Sequence, residues 1–416
     1  MMKASYDCVI VGGGPAGSTV ATLVAQAGFS TLLLEREKMP RFHIGESLMP
    51  ETYWTFERLG VLDKMRQASF VKKYSVQFVS HTGRESAPFF FQEHDPRECS
   101  QTWQVERAPF DKMLFDNAAE HGAECFDETR VLDVLLEGKQ ACGVRLQTSA
   151  GETREIAARV VVDATGLSAI LANKLRVREE DPQLRKSAIW TYYRGAYRDE
   201  GMNSGATMVM HTTEKKSWFW YIPLANDITS IGVVADSNYL FKGRGAPEEI
   251  YAEELAKCLA LPGRLEGAEM VDKIRVAREF SYLTREQAGD GWVLVGDAMA
   301  FIDPIYSSGV FLAFKSGELA ADAIVAGLQQ NDLSGRQLGS WTTNYLAGVK
   351  QMRKLVDAFY TNEFSFGEFM RHHPQHKGNL IDLLIGRIFH DEAGEIFKDM
   401  YPHMEKIREQ ATQGAK

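Results

Sequence analysis

The residues best placed to do chemistry lie in widely separated stretches of the chain. Gly12-x-Gly14-x-x-Gly17 follows the β-branched run Tyr6 to Val11, and Glu35 ends the next apolar run, Thr31-Leu32-Leu33-Leu34. Glycines at these places allow a tight turn, and with Pro15 opening the helix the backbone N–H groups from Ala16 onward can then approach a pyrophosphate. Glu35 is placed to accept hydrogen bonds from ribose hydroxyls. The pattern points to a dinucleotide and does not separate NAD from FAD. Far downstream, Trp218-Phe219-Trp220-Tyr221-Ile222-Pro223 alternates its aromatics. As a strand it sets Trp218 and Trp220 on one face and Phe219 and Tyr221 on the other. Taken alone, an aromatic core strand ended by proline is the better explanation. Phe301-Ile302-Asp303-Pro304-Ile305-Tyr306-Ser307-Ser308-Gly309 leads into a helical stretch. Backbone N–H groups at Ser308 and Gly309, at the mouth of that helix, would form an anion site.

The elements that must position these residues follow from periodicity. Residues 6–34 read as a βαβ unit, 47–68 as a helix with Phe56, Leu59, Val61 and Leu62 on its apolar face, and 107–122 as another helix. Strand patterns run through 73–104, 129–150 and 186–236, and Arg159-Val160-Val161-Val162-Asp163 has the continuous apolar character of a buried parallel strand. Residues 248–260 are helical, 292–295 form a buried strand, a long helix spans about 309 to 328, and the tail beyond 340 is mostly helical. The expected fold is α/β: a discontinuous Rossmann-like nucleotide domain (1–72, 105–180 and 280–340), an inserted sheet-rich substrate domain (73–104 and 181–279) and a helical C-terminal region (341–416).

Bulk composition narrows the function. A net charge of -9 argues against a nucleic-acid binder, whose affinity would rest on clustered Lys and Arg. Five cysteines without CxxC spacing suit reduced thiols in a cytoplasmic protein rather than a metal site or a disulfide frame. No apolar run approaches the ~20 residues of a membrane span.

Taken together, the motifs resemble those of the flavin-dependent halogenases. Gly291-Trp292-Val293-Leu294-Val295-Gly296-Asp297-Ala298 resembles the second nucleotide signature of para-hydroxybenzoate-hydroxylase-like flavoproteins, and Arg107 matches that group's arginine beside the flavin. The resemblance implies FAD, used as FADH2, with Arg36, Arg41, Glu46, Ser47, Asp163, Asp297, Pro304 and Gly309 on the cofactor side. Residues 218–223 match the halogenase string WxWxIP, and 301–309 match FxxPxxSxG, with Ser307 as its serine. Lys73, five residues before Phe78, aligns with the family's catalytic lysine better than Lys72 does. The implied chemistry is hypohalous acid made from flavin hydroperoxide and chloride or bromide, held near Ser308 and Gly309 and passed to Lys73. Trp218 and Trp220 would then close the flavin off from the organic substrate. Tyr306 stands where tryptophan halogenases carry a glutamate, so the resemblance is closer to halogenases of phenols and pyrroles, many of which act on carrier-bound substrates. A separate flavin reductase is implied, because the chain carries one dinucleotide fingerprint. Phe364 to Met370 are expected to cap the chamber, with Arg371, His372, His373, His376 and Lys377 near its entrance. A geranylgeranyl-reductase-like enzyme, which would share Gly45-Glu46-Ser47, an aromatic hydroxylase and a flavin-binding sensor without catalysis remain as alternatives.

Overall fold

A computed structural model describes residues 2–361 and 364–414. The strand Ser5–Val11 lies inside a sheet, parallel to Thr31–Leu34 on one side and Thr153–Asp163 on the other, and Trp292–Leu294 continues in parallel beyond. Covered on both faces, these strands have no solvent side, which is why they read as unbroken apolar runs. The helices Pro15–Gln26 and Gly309–Gln330 cross closely over this sheet. A Cβ at Gly317 would stand 2.9 Å from the Ala16 carbonyl oxygen, so the contact depends on a residue without a side chain.

A second, larger sheet carries the tryptophans. Its strand Ser217–Pro223 is antiparallel to Thr207–His211 on one edge and to Ile228–Asp236 on the other. The expected alternation holds: Trp218, Trp220 and Ile222 join the main core beside the nucleotide sheet. Phe219 and Tyr221 instead pack with Ile250 and Tyr251 of the helix Pro247–Lys257 on the opposite face. Lys73 ends a separate short ribbon, Val71–Lys73 against Thr102–Gln104.

Two expectations are corrected. Residues 47–68 do not form one helix; the segment bends at Gly60, whose φ of +72° is left-handed, into Thr52–Arg58 and Leu62–Gln67. Phe364 and Phe369 do not cap a chamber; they are buried against His403 of the helix Ile396–Gly414. The histidines beside them serve that packing. His373 and His376 stack on Phe369, and His376 Nε2 lies 2.8 Å from an Asp399 carboxylate oxygen.

One glycine in the second sheet has a side-chain-free role. A Cβ at Gly232 would stand 2.2 Å from the Trp220 ring and 2.5 Å from Trp190 Cβ. Gly232→Ala should therefore destabilise the protein by about 1–3 kcal/mol through overpacking, read as a lower urea midpoint at unchanged slope.

Candidate active site

A single elongated cavity of about 500 Å³ runs from the Gly12–Ala16 turn to the wall of tryptophans. At its first end the three motif glycines do different jobs. Gly12 has φ +111°, and a Cβ there would stand 2.2 Å from the Ala164 carbonyl oxygen; a Cβ at Gly17 would stand 1.9 Å from the Gly12 carbonyl oxygen. These two close the turn onto itself. Only Gly14 leaves its Cβ direction open, with the Arg41 guanidinium 3.4 Å away as its nearest neighbour. The following helix starts with Pro15, has no side-chain cap and carries no acidic residue in its first turn, so its N-terminal N–H groups are free to meet an anion.

Glu35 is buried and oriented before any ligand arrives. Its Oε2 accepts the Gly13 N–H at 2.9 Å, its Oε1 accepts the Glu37 N–H at 3.0 Å, and Arg41 lies 3.5 Å away. Arg41 is held in turn by Asp111 at 2.8 Å, and Arg36 also lines the cavity. Arg107 makes a fork onto Asp111 at 2.8 and 3.0 Å and donates to the Ile44 carbonyl at 2.6 Å. Asp111 is thus a buried anion between two guanidiniums, which hold its carboxyl below the ordinary range against the burial that pushes it up. Asp163 sits differently from the other acids expected on the cofactor side. Its carboxylate accepts from Thr165 N, Thr165 Oγ1 and Leu171 N, and the cavity wall there is Ala164, Thr165 and Gly166. It shapes the turn rather than facing the space.

In the middle of the cavity stand two acids, Glu46, which is buried, and Asp297, which is half-buried. Burial lifts Asp297 to about 6 against the opposing charge of Arg107, and lifts Glu46 to about 7 although the Tyr192 hydroxyl donates to it at 2.7 Å. Beyond them stand Trp190, Trp218 and Trp220, with Phe301, Pro304, Ser307 and Gly309 facing them. Ser307 turns the chain with φ +58°, and the long helix begins two residues later without a side-chain cap. Gly309 faces the cavity, whereas the Ser308 side chain is buried away from it. Tyr306 also points away, its hydroxyl reaching the Leu355 carbonyl and its ring edge meeting Phe359.

Lys73 lies behind this wall rather than on it. Its Nζ donates to Ser47 Oγ at 2.9 Å and to the Leu48 carbonyl at 3.0 Å, with the Phe91 ring 5.7 Å away. Ser47 itself faces the cavity, so one hydroxyl separates amine from open space. Burial of the charged form pulls Lys73 down to about 7. Lys72, by contrast, is exposed.

Comparison with known proteins now decides the family. A model described as an FAD binding domain matches residues 5–330. The 1H-pyrrole-2-carbonyl-(peptidyl-carrier protein) chlorinase of Pseudomonas fluorescens is 30% identical over 422 residues, covering 96% of this chain and 93% of that protein. The corresponding brominase of Pseudoalteromonas luteoviolacea is 31% identical, covering 94% of each. The solved flavin-dependent brominase Bmp2 superposes with a TM-score of 0.88 at 30% identity, covering 98% of this chain and all of that one. The chain belongs to the flavin-dependent halogenases. It is an enzyme that uses FAD and halide.

The site fits that cofactor. Gly14 leaves a gap where a side chain would otherwise stand, an uncapped helix start faces it, and Glu35 waits at ribose reach. Trp190 also lines the cavity, and the alternation of Ala188 and Trp190 along Arg178–Arg194 is its signal in the sequence. Asp303 and Tyr360 were missed by the sequence reading. Their meeting spans 57 positions and has no local signal. Among the described residues no cluster of His, Cys, Asp and Glu could hold a metal ion.

The glycines give a sharp test. Gly14→Val should fold with a melting temperature near that of the wild type yet purify without flavin colour, because its side chain enters open space. Gly17→Val should instead fail to fold, because it meets backbone. Retention of flavin by soluble Gly14→Val would contradict this division of labour.

Proposed function

We propose that this halogenase installs chloride or bromide on an electron-rich pyrrole or phenol carried on the arm of a carrier protein. The observation that carries the reading is Lys73, a buried amine linked to the cavity through Ser47. Bound reduced flavin supplies, with oxygen and halide, the hypohalous acid. Gly309 and the start of its helix hold the halide, and the bulk of Trp218 and Trp220 keeps the organic ring away from the flavin. Lys73 and Ser47 hydrogen-bond the hypohalous acid, or the neutral Lys73 amine takes its halogen as a haloamine, breaking the oxygen–halogen bond and releasing water; either way a small, indiscriminate electrophile is fixed next to one ring carbon. Burial keeps the lysine amine near neutrality at ordinary pH, so it can act either as a donor or as a nucleophile.

In this reading, 1–72, 105–180 and 280–340 hold the flavin, 73–104 and 181–279 shape the chamber, and 341–416 is a helical C-terminal region packed behind it. Two relatives covered over nearly their full length act on pyrrole-2-carbonyl groups of carrier proteins, and that similarity supports a tethered substrate here. A single dinucleotide fingerprint supports FADH2 delivery by a separate NAD(P)H:flavin reductase. No helix among the described residues is long and apolar enough to cross a membrane, and the cysteines are unpaired thiols. Both features, with the need for a reduced flavin, favour the cytoplasm.

Removing the amine should separate the two halves of the reaction. Lys73→Ala should go on consuming oxygen with reduced flavin while losing nearly all halogenated product; regioselective halogenation by this variant would rule out the lysine's role.

The carrier is tested by offering pyrrole-2-carboxylate free and as its carrier-protein thioester, with reductase, oxygen and bromide. Bromination of the thioester alone is expected, detected by mass spectrometry. Equal bromination of both forms would make a free small molecule the substrate.

A further inference from the structure

Behind the tryptophan wall three distant parts of the chain meet in one polar link. Trp218 Nε1–H donates to the Tyr360 hydroxyl at 2.9 Å, and that hydroxyl donates to Asp303 Oδ2 at 2.8 Å. Asp303 Oδ1 accepts the Ile305 N–H at 3.0 Å, which fixes the carboxylate within its own segment. The link therefore joins the tryptophan strand, the 301–309 segment facing it across the cavity, and the first residue after the helix Thr342–Phe359. Burial raises the Asp303 carboxyl to about 6, opposed by these hydrogen bonds and by the charge of Lys186, whose ammonium sits 4.0 Å over the Tyr360 ring.

Apolar packing at this place is already supplied by the neighbouring residue. Phe359 meets Trp218 edge-on at 6.0 Å and stacks on His211 at 4.9 Å. The Tyr360 hydroxyl does something different. Trp218 and Asp303 are both almost fully buried, and a buried indole N–H without an acceptor, or a buried carboxylate without donors, is costly. One hydroxyl answers both needs at once. Swinging the Trp218 indole out of the wall would break its bond to that hydroxyl and weaken the hold on Asp303, so the ring plane is tied to the segment on the far side of the cavity.

We infer that Tyr360 and Asp303 are positioning residues that lock Trp218 and the 301–309 segment into one closed wall, so that the C-terminal helical region sets how tightly halogenation is coupled to oxygen use. The inference rests on the reading of Trp218 as the partition between flavin and substrate. Tyr360→Phe keeps the ring and removes only the hydroxyl. It should retain flavin and stay folded with a melting temperature lowered by only a few degrees, the cost of the two buried groups it leaves without that hydroxyl, while the Trp218 indole N–H resonance, assigned by its loss in Trp218→Phe, shifts and exchanges faster. Halogenated product per oxygen consumed should fall about five- to tenfold, the size of one hydrogen bond, with the substrate KM moving less than about twofold. The same losses should appear in Asp303→Ala and be partly recovered in Asp303→Asn, which keeps an acceptor for the Tyr360 hydroxyl. An unmoved indole resonance or an unchanged product ratio in Tyr360→Phe overturns the inference, as do equal ratios in Asp303→Ala and Asp303→Asn. A wild-type enzyme that halogenates no pyrrole or phenol would instead defeat the proposed function, because the indole resonance reads the link without any turnover.

Discussion

Much of this structure depends on one close approach, the seating of the Gly12–Gly17 turn against the end of the strand Thr153–Asp163. The Ala164 carbonyl and the Gly12 carbonyl occupy the space where side chains on Gly12 and Gly17 would stand. That contact brings the start of the Pro15–Gln26 helix over the sheet and leaves its N–H groups facing the cavity. Asp163 secures the other side by spending its carboxylate on its own turn. Gly317 then lets the long helix Gly309–Gln330 press onto the same place. The start of that helix is thereby fixed at the far end of the same cavity.

Charge in the cavity follows a second constraint, the cost of drying ionisable groups. Where a partner is near, the charge is kept: Asp111 sits between Arg41 and Arg107, and its carboxyl is held down despite burial. Where no salt bridge offsets it, burial shifts the group toward neutrality. Lys73 and Glu46 are each moved to about 7, and Asp297 and Asp303 to about 6. The cavity is thus bordered by paired cations at the nucleotide end and by Glu46 and Asp297 farther along, with Lys73 and Asp303 buried behind its lining.

The motifs were legible in the sequence because each is local. The glycine turn, the alternating tryptophans and the 301–309 segment owe their form to neighbours within a few positions, and the parallel strands declared themselves by apolar runs with no solvent face. The break at Gly60 was missed because apolar spacing on either side of it continues a helical period, and only the left-handed backbone ends the first helix. The aromatic tail was misplaced for a related reason. An apolar cluster announces that it will be buried but not against what, and His403 lies more than 30 positions downstream.

What the sequence determined by itself is therefore the inventory and the local geometry: a nucleotide turn, an indole pair on one strand face, a helix mouth able to take an anion, and a lysine in a strand. Which groups meet was decided by tertiary packing alone. The Lys73 amine reaches the cavity only through Ser47, 26 positions away, and Trp218 finds its acceptor 142 positions downstream in Tyr360. Hydrogen bonds between buried side chains are set by how the sheets and helices stack, and no periodicity along the chain records that. The same packing withdraws water from the lysine and lowers its affinity for a proton.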